Sequence, residues 1–251
     1  LRFVDGVRAF FGGVGFVVGT PRVWGFAVVP ILVATVLFVV FAWLAIAAVN
    51  AVSGAFFAAP SESVWSAVGV WTVRIVLGLV GIVLAFVVAM SLAQLLSGFA
   101  LERVSREQEL ALGGRTWPDQ PLVASTLRSL RVTLVGLVAF VPILAVLSIV
   151  GLLVPPAAFV TIPLKFVVTG VLAAYDLIDY PLGLRGLGVR ARFEFLSANF
   201  AAVLGFGTSV ALVLMVPGGA LLILPFATAG ATRMVLAEPA VTGRAGARPA
   251  A

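Results

Sequence analysis

The chain has no cysteine and no histidine. Without cysteine there is no disulfide, no thiolate metal site and no thiol nucleophile. Without histidine the commonest proton shuttle and metal ligand is missing. Charge is scarce too: 10% of the 251 residues are charged and 62% are hydrophobic, whereas a soluble domain is about a quarter charged and about half apolar. A core of this size cannot bury so much apolar surface, so the sequence reads as an integral membrane protein. Its apolar runs are continuous for about 20 residues, the length of a spanning helix, and do not alternate as barrel strands do. The expected fold class is all-α.

What charge there is has a sign. Sixteen basic residues stand against ten acidic ones, a net charge of +6, and a single lysine, Lys165, is among them. Cytoplasmic loops of membrane proteins collect Arg and Lys, so the excess is read as topological and no nucleic-acid partner is expected. Heavy use of Ala, Val, Gly and Arg hints at a GC-rich bacterial genome.

Leu1 to Thr20 is amphipathic, interrupted by Arg2, Asp5 and Arg8 and loosened by Gly12, Gly13, Gly15 and Gly19. It reads as a short helix on the membrane surface. Pro21-Arg22-Val23-Trp24 opens the first span, Trp24 to Val49, with Pro30 early in it and a loop from Ala51 to Ser63 after it. The second apolar segment, Val64 to Leu96, exceeds one bilayer thickness by about ten residues, so Arg74 in its first part reads as snorkelling at the interface. Ser97 to Arg131 is the most hydrophilic part. Its Glu102, Arg103, Arg106, Glu107 and Glu109 have helical spacing and read as a solvated extension of the second helix, ended by Gly113-Gly114.

Two proline-broken hairpins follow. Thr133–Val154 and Pro156–Ala174 flank Pro155-Pro156, with Pro142 and Pro163 in the arms; Ala198–Val216 and Gly219–Val235 flank Pro217-Gly218-Gly219, with Pro225 in the second arm. Proline within a membrane helix needs neighbours that satisfy the freed carbonyls, so both hairpins are expected to dip part-way into the bilayer. Residues 1–237 are taken as one membrane domain and 238–251 as a disordered tail. Placing the N-terminus, Ser97–Arg131, Tyr175–Ser197 and the C-terminus on one side gathers fourteen of the sixteen basic residues there. That asymmetry predicts an even number of crossings or dips with both termini cytoplasmic.

Few residues could carry chemistry. Lys165 lies near the middle of its arm, where an unpaired charge costs about 2.5–3.5 kcal/mol. It reads either as an anion site on a polar path or as a snorkelling charge that reaches water, Asp176 or Asp179. Asp176 and Asp179 share a helix face one turn apart, as proton or cation ligands or as partners of the nearby arginines. Gly205 and Gly207 permit close helix approach, and no lysine-serine motif follows them to make a phosphate loop. No nucleophile–base pair, metal box or nucleotide fingerprint is present, so neither an enzyme nor a cofactor is expected.

Four pieces then form a pattern over about residues 6 to 235: Pro21-Arg22-Val23-Trp24 with Pro30; Tyr175-Asp176-Leu177-Ile178-Asp179-Tyr180-Pro181-Leu182; Leu204-Gly205-Phe206-Gly207; and Pro217, Leu224-Pro225-Phe226-Ala227 and Ala229-Gly230-Ala231-Thr232. In these the chain resembles the CysZ-like, etoposide-induced membrane protein family. The resemblance implies a bacterial inner-membrane protein that takes up sulfate, or a related anion such as sulfite, for cysteine synthesis. It implies two long spanning helices, two partly penetrating hairpins and assembly into homo-oligomers. Sulfate-transporting members hold the anion with backbone amides and two arginines of a Gly-Leu-Arg-Arg type loop. Aligned on Pro21 and Pro30, those arginine positions are Trp24 and Gly25 here. The candidate anion site is therefore Arg22, Val23, Trp24 and Gly25 with Lys165 further in. The alternative is a membrane structural or envelope-organising protein that has kept the fold and lost transport.

Overall fold

The computed structural model describes residues 1–56, 64–118, 122–216 and 219–238. Most of the loop holding Glu62, together with Asp119, Pro217-Gly218 and the tail beyond Glu238, lies outside the described residues. Among the described residues every regular element is helical. In order these are α1 (Phe3–Gly19), α2 (Pro21–Phe56), α3 (Val64–Leu96), α4 (Gly98–Ala111), α5 (Leu122–Leu153), a 3-10 turn (Pro155–Ala157), α6 (Ala158–Leu184), α7 (Val189–Ala198), α8 (Phe200–Leu214) and α9 (Gly219–Leu236).

Among the described residues four stretches are long and apolar enough to cross a bilayer: Pro21–Ser53, Ala67–Ala93, Leu127–Leu153 and Pro155–Leu184. A fifth is possible by length if α7 and α8, bent by 98° at Asn199, count as one. Their large apolar side chains face outward: Val36, Trp43, Leu79, Val83, Val138 and Leu152 are all at least 60% exposed. Water would not tolerate so continuous an apolar surface. The protein is a multi-pass, all-helical membrane protein.

The chain divides into two compact units, Leu1–Val28 with Gly98–Ala251, and Val29–Ser97. The second unit is the longer part of α2 with α3. Gly81 faces Ala45, Phe38 meets Phe86 edge-on with ring centroids 6.0 Å apart, and Ala34, Ala85, Ala89 and Ala93 are buried. The hydroxyls of Thr35, Thr72 and Ser91 each donate to the carbonyl four residues back, which satisfies them in an apolar setting. Arg74 lies over the Trp71 ring, 5.6 Å from its centroid. The helix expected to end at Val49 continues to Phe56, because Ala51, Val52 and Ser53 offer no chain break.

In the first unit α1 packs on both α8 and α9. Of the glycines that read as loosening a surface helix, Gly12 and Gly13 face α9 while nothing lies within 4 Å of a side chain begun at Gly15 or Gly19; Gly6 joins the contact side. A methyl on Gly6 would overlap the Ala202 carbonyl, and one on Gly13 would overlap the backbone of Phe226 and Gly230. Absence of a side chain is what lets the helices approach so closely. Asp5 reaches back to accept from the Arg2 N–H at 2.7 Å, which caps the helix start. On one side α6 packs on α8 and on the other on α5.

The stretch after Ser97 also departs from expectation. It is a separate helix, α4, and it is not fully solvated. Leu101, Val104, Ser105, Gln108 and Glu109 are buried, toward α9 and α6. The charges Glu102, Arg103, Arg106 and Glu107 occupy the other side, so the opposite-charge spacing was real but one-faced. Ser105 and Thr232 hydroxyls share a hydrogen bond of 2.7 Å between α4 and α9.

Candidate functional site

A group of polar residues of the first unit meets at the C-terminal end of α6. This helix does not stop at Ala174. It carries Tyr175 through Pro181 as two further turns and ends at Leu184. There Gly186, at φ 65°, donates its N–H to the Gly183 carbonyl at 2.9 Å, and the Leu187 N–H reaches the Leu182 carbonyl at 3.1 Å. That is a Schellman closure, which needs a left-handed residue and so selects glycine. Three guanidinium groups then take carbonyls around this end: Arg185 that of Pro181, Arg128 that of Gly183 and Arg192 that of Leu187. Cations at a helix C-terminus meet the negative end of its dipole.

Asp179 is the acidic anchor. One carboxylate oxygen takes the guanidinium of Arg192, whose side chain is fully buried, and the other takes the Ser129 hydroxyl at 2.9 Å. Asp176, one turn earlier, presents a buried Oδ1 that makes no hydrogen bond. Tyr175 is buried, with its hydroxyl donating to the Val132 carbonyl at 3.2 Å and its ring between Phe140 and Phe193. Tyr180 is half-buried and Pro181 buried. Gly207 crosses Gly170 of α6, Gly205 backs onto Phe3 of α1, and Pro225 is buried within α9.

A second buried pair lies beside the first. Arg185 donates to Glu109 Oε1 at 2.8 Å, and the Trp117 indole N–H donates to the same oxygen at 2.8 Å. The Trp117 ring also lies under the Arg185 guanidinium, 5.4 Å from its centroid. Arg106 holds the segment in place through the Trp117 and Pro118 carbonyls while pairing with Glu102. Burial pushes the Arg185 guanidinium below its ordinary pKa, and the charge and hydrogen bond of Glu109 push it back up. Together the two pairs put fixed charges of both signs inside an otherwise apolar helical body, an arrangement suited to holding a small ion.

The residues expected at the chain's anion site are not part of this cluster. Arg22 is exposed at the start of α2. Val23 is fully buried with Val17, Val104 and Ala229, and its N–H donates to the Thr20 carbonyl at 3.0 Å. The Trp24 indole donates to the Val17 carbonyl at 2.8 Å, tying α2 back to the end of α1. Gly25 is exposed, with no atom within 4 Å of where a side chain would begin. Lys165 is half-buried within α6 and makes no hydrogen bond or ion pair among the described residues. Sequence reasoning passed over Glu109, Trp117, Ser129 and the specific roles of Arg185 and Arg192. The signal for two of them was the pair of glycines, Gly113 and Gly186, that end α4 and α6 just beyond Glu109 and Arg185.

Comparison with known proteins adds a family. No curated protein matches the chain. A family model described as sulfate transporter CysZ/etoposide-induced protein 2.4 matches residues 9–225, which takes in α8, most of α1 and all of the polar cluster. The chain belongs to that family.

Proposed function

We propose that the protein is a transporter or channel of the bacterial inner membrane that passes sulfate, or a related small oxyanion such as sulfite, to supply sulfur assimilation. The observation that carries this reading is the buried polar cluster of Asp179, Arg192, Glu109 and Arg185, lying within the stretch matched to the family. An ionisable residue at membrane depth is costly and is by default the mark of a functional site, and Asp179 lies inside a stretch long and apolar enough to cross a bilayer. In this reading Arg22 is the charge at which the anion first arrives, with Trp24 and Gly25 beside it, and Lys165 is an inner charge. No cofactor, nucleotide hydrolysis or enzymatic step is invoked.

The same reading places both termini in the cytoplasm and treats residues 1–237 as one functional membrane domain acting in a homo-oligomer. It takes α2 and α3 as the full crossings and the α5–α6 and α8–α9 hairpins as partly penetrating. For the second hairpin the length of α8 supports this: 15 residues reach about 22 Å at 1.5 Å per residue, short of the ~30 Å hydrocarbon core.

A second reading is a non-transporting structural or envelope-organising protein. It is favoured by one observation: the positions of the family's arginine pair hold Trp24, whose indole is committed to Val17, and Gly25. Radiolabelled sulfate uptake by proteoliposomes separates the two. Saturable uptake that sulfite blocks, reduced in Arg22→Ala and Lys165→Ala, is the expected result. Vesicles with folded, inserted protein and no uptake would exclude transport of sulfate.

A further inference from the structure

Glu109 and Arg185 join two helix C-termini. Glu109 lies in the last turn of α4, which closes as α6 does: Gly113, at φ 75°, donates to the Leu110 carbonyl at 3.0 Å and Gly114 to the Glu109 carbonyl at 2.8 Å. A guanidinium suits such a position and a carboxylate does not. Glu109 is therefore disfavoured both by the helix dipole and by burial, since both side chains of the pair are 2% exposed. A buried ion pair contributes little to stability compared with apolar residues of the same volume. Its presence here needs a reason other than folding.

The hydrogen bonding around the pair supplies one. Glu109 Oε2 and Arg185 Nε are buried and make no hydrogen bond. Buried polar groups are normally satisfied, so an acceptor and a donor left open on the two partners of one ion pair point to a small polar occupant. The pair is also built to exchange. Arg185 is anchored by its bond to the Pro181 carbonyl through Nη1, and only Nη2 holds Glu109. Glu109, once released, keeps the Trp117 indole N–H as a donor. A planar guanidinium binds a tetrahedral oxyanion in the same forked manner as a carboxylate.

We propose that Arg185 is an oxyanion-binding residue inside the protein and that Glu109 is its resident counter-ion, displaced when a sulfate-like anion takes the guanidinium. This rests on the anion-transport reading above and adds to it a binding residue and a competitor. Glu109 keeps the guanidinium compensated between ions and weakens anion binding, so that the ion can leave again. Trp117, in contact with both partners, reports the exchange.

The test uses the full chain in detergent and in proteoliposomes, with sulfate as the probe. Sulfate should change Trp117 emission in the wild type, and the change should be lost in Trp117→Phe. Glu109→Gln keeps the shape and removes the competing charge. It should lower the half-saturating sulfate concentration roughly tenfold, in emission and in the KM of uptake alike. Arg185→Met alone strands a buried carboxylate, so the loss of binding is read in the double variant Glu109→Gln/Arg185→Met. Glu194→Gln removes the same charge from a surface pair with Arg190 and should leave sulfate binding and uptake unchanged.

Wild-type half-saturation in both Glu109→Gln and the double variant overturns the relay while leaving transport standing. Sulfate binding that depends on Arg185, without uptake, supports the site and overturns transport. Neither binding nor uptake in the wild type overturns both.

Discussion

Gly170 of α6 and Gly207 of α8 cross backbone to backbone. A methyl built on Gly170 would come within 2.7 Å of the Gly207 carbonyl oxygen, and the converse overlap is closer still. The obstructing atoms are main chain, so the helices must separate to admit a side chain. Gly170→Ala or Gly207→Ala is expected to cost about 1–3 kcal/mol, the range of overpacking, and to lower the thermal midpoint of the detergent-solubilised protein. Gly15→Ala is the contrast, since nothing lies within 4 Å of its Cβ position. There the better helix former should leave the midpoint unchanged or raise it. Equal midpoints for all three variants would mean that the crossing is not close.

The Asp179–Arg192 pair makes a second prediction. The Arg192 side chain is fully buried and that of Asp179 is 10% exposed. Asp179→Asn leaves the guanidinium buried with its charge uncompensated, which costs about 3–5 kcal/mol. Loss of monodisperse protein on size-exclusion chromatography is the expected result. Arg190→Ala, from a surface pair whose arginine is 93% exposed, should elute as the wild type does. A stable Asp179→Asn protein would show that Ser129 and the carbonyls near Arg192 suffice to hold the charge.

Docking of α1 can be read by labelling, because the chain has no cysteine of its own. Ala9 is 5% exposed, and Ala9→Cys should resist a maleimide in the intact protein. Adding Gly13→Val places a branched side chain against the backbone of Phe226 and Gly230. That should free α1 and raise the labelling rate at position 9. Fast labelling without the Gly13 change would place α1 on the membrane surface, as its amphipathic pattern first implied.

Depth of the α5–α6 hairpin is open to the same chemistry. Phe159 follows the proline turn and is 89% exposed on the protein surface. If the hairpin dips part-way, Phe159→Cys lies in lipid and should be labelled by an impermeant maleimide from neither side of the membrane. Labelling from the face opposite Arg128 would mean a full crossing, for which the 32 residues of α5 and 27 of α6 are long enough.

Much of the architecture was legible from local signals. Continuous apolar runs marked the helices of the second unit, Pro155-Pro156 marked the turn between α5 and α6, and Gly113 marked the end of α4. What was misread follows one pattern. Gly12 and Gly13 looked like flexibility and are contact points. Glu109 looked like a solvated charge and is buried. The arm that looked complete at Ala174 runs on as α6 through Pro181 to Leu184. In the first two cases the residue type was noticed and its partner could not be, because a glycine facing solvent and a glycine facing another backbone are the same letter.

By itself, the sequence determined that this is an all-helical membrane protein of low charge, without thiol or imidazole chemistry. Those properties follow from composition and from hydrophobic run length, which are local quantities. Only the tertiary structure decided which charges meet. Glu109 and Arg185 are 76 residues apart and Asp179 and Ser129 are 50 apart. Pairing at that separation is set by how α4, α5 and α6 pack, and a buried charge takes whichever opposite charge the packing brings within reach, since leaving it alone costs more than any choice of partner.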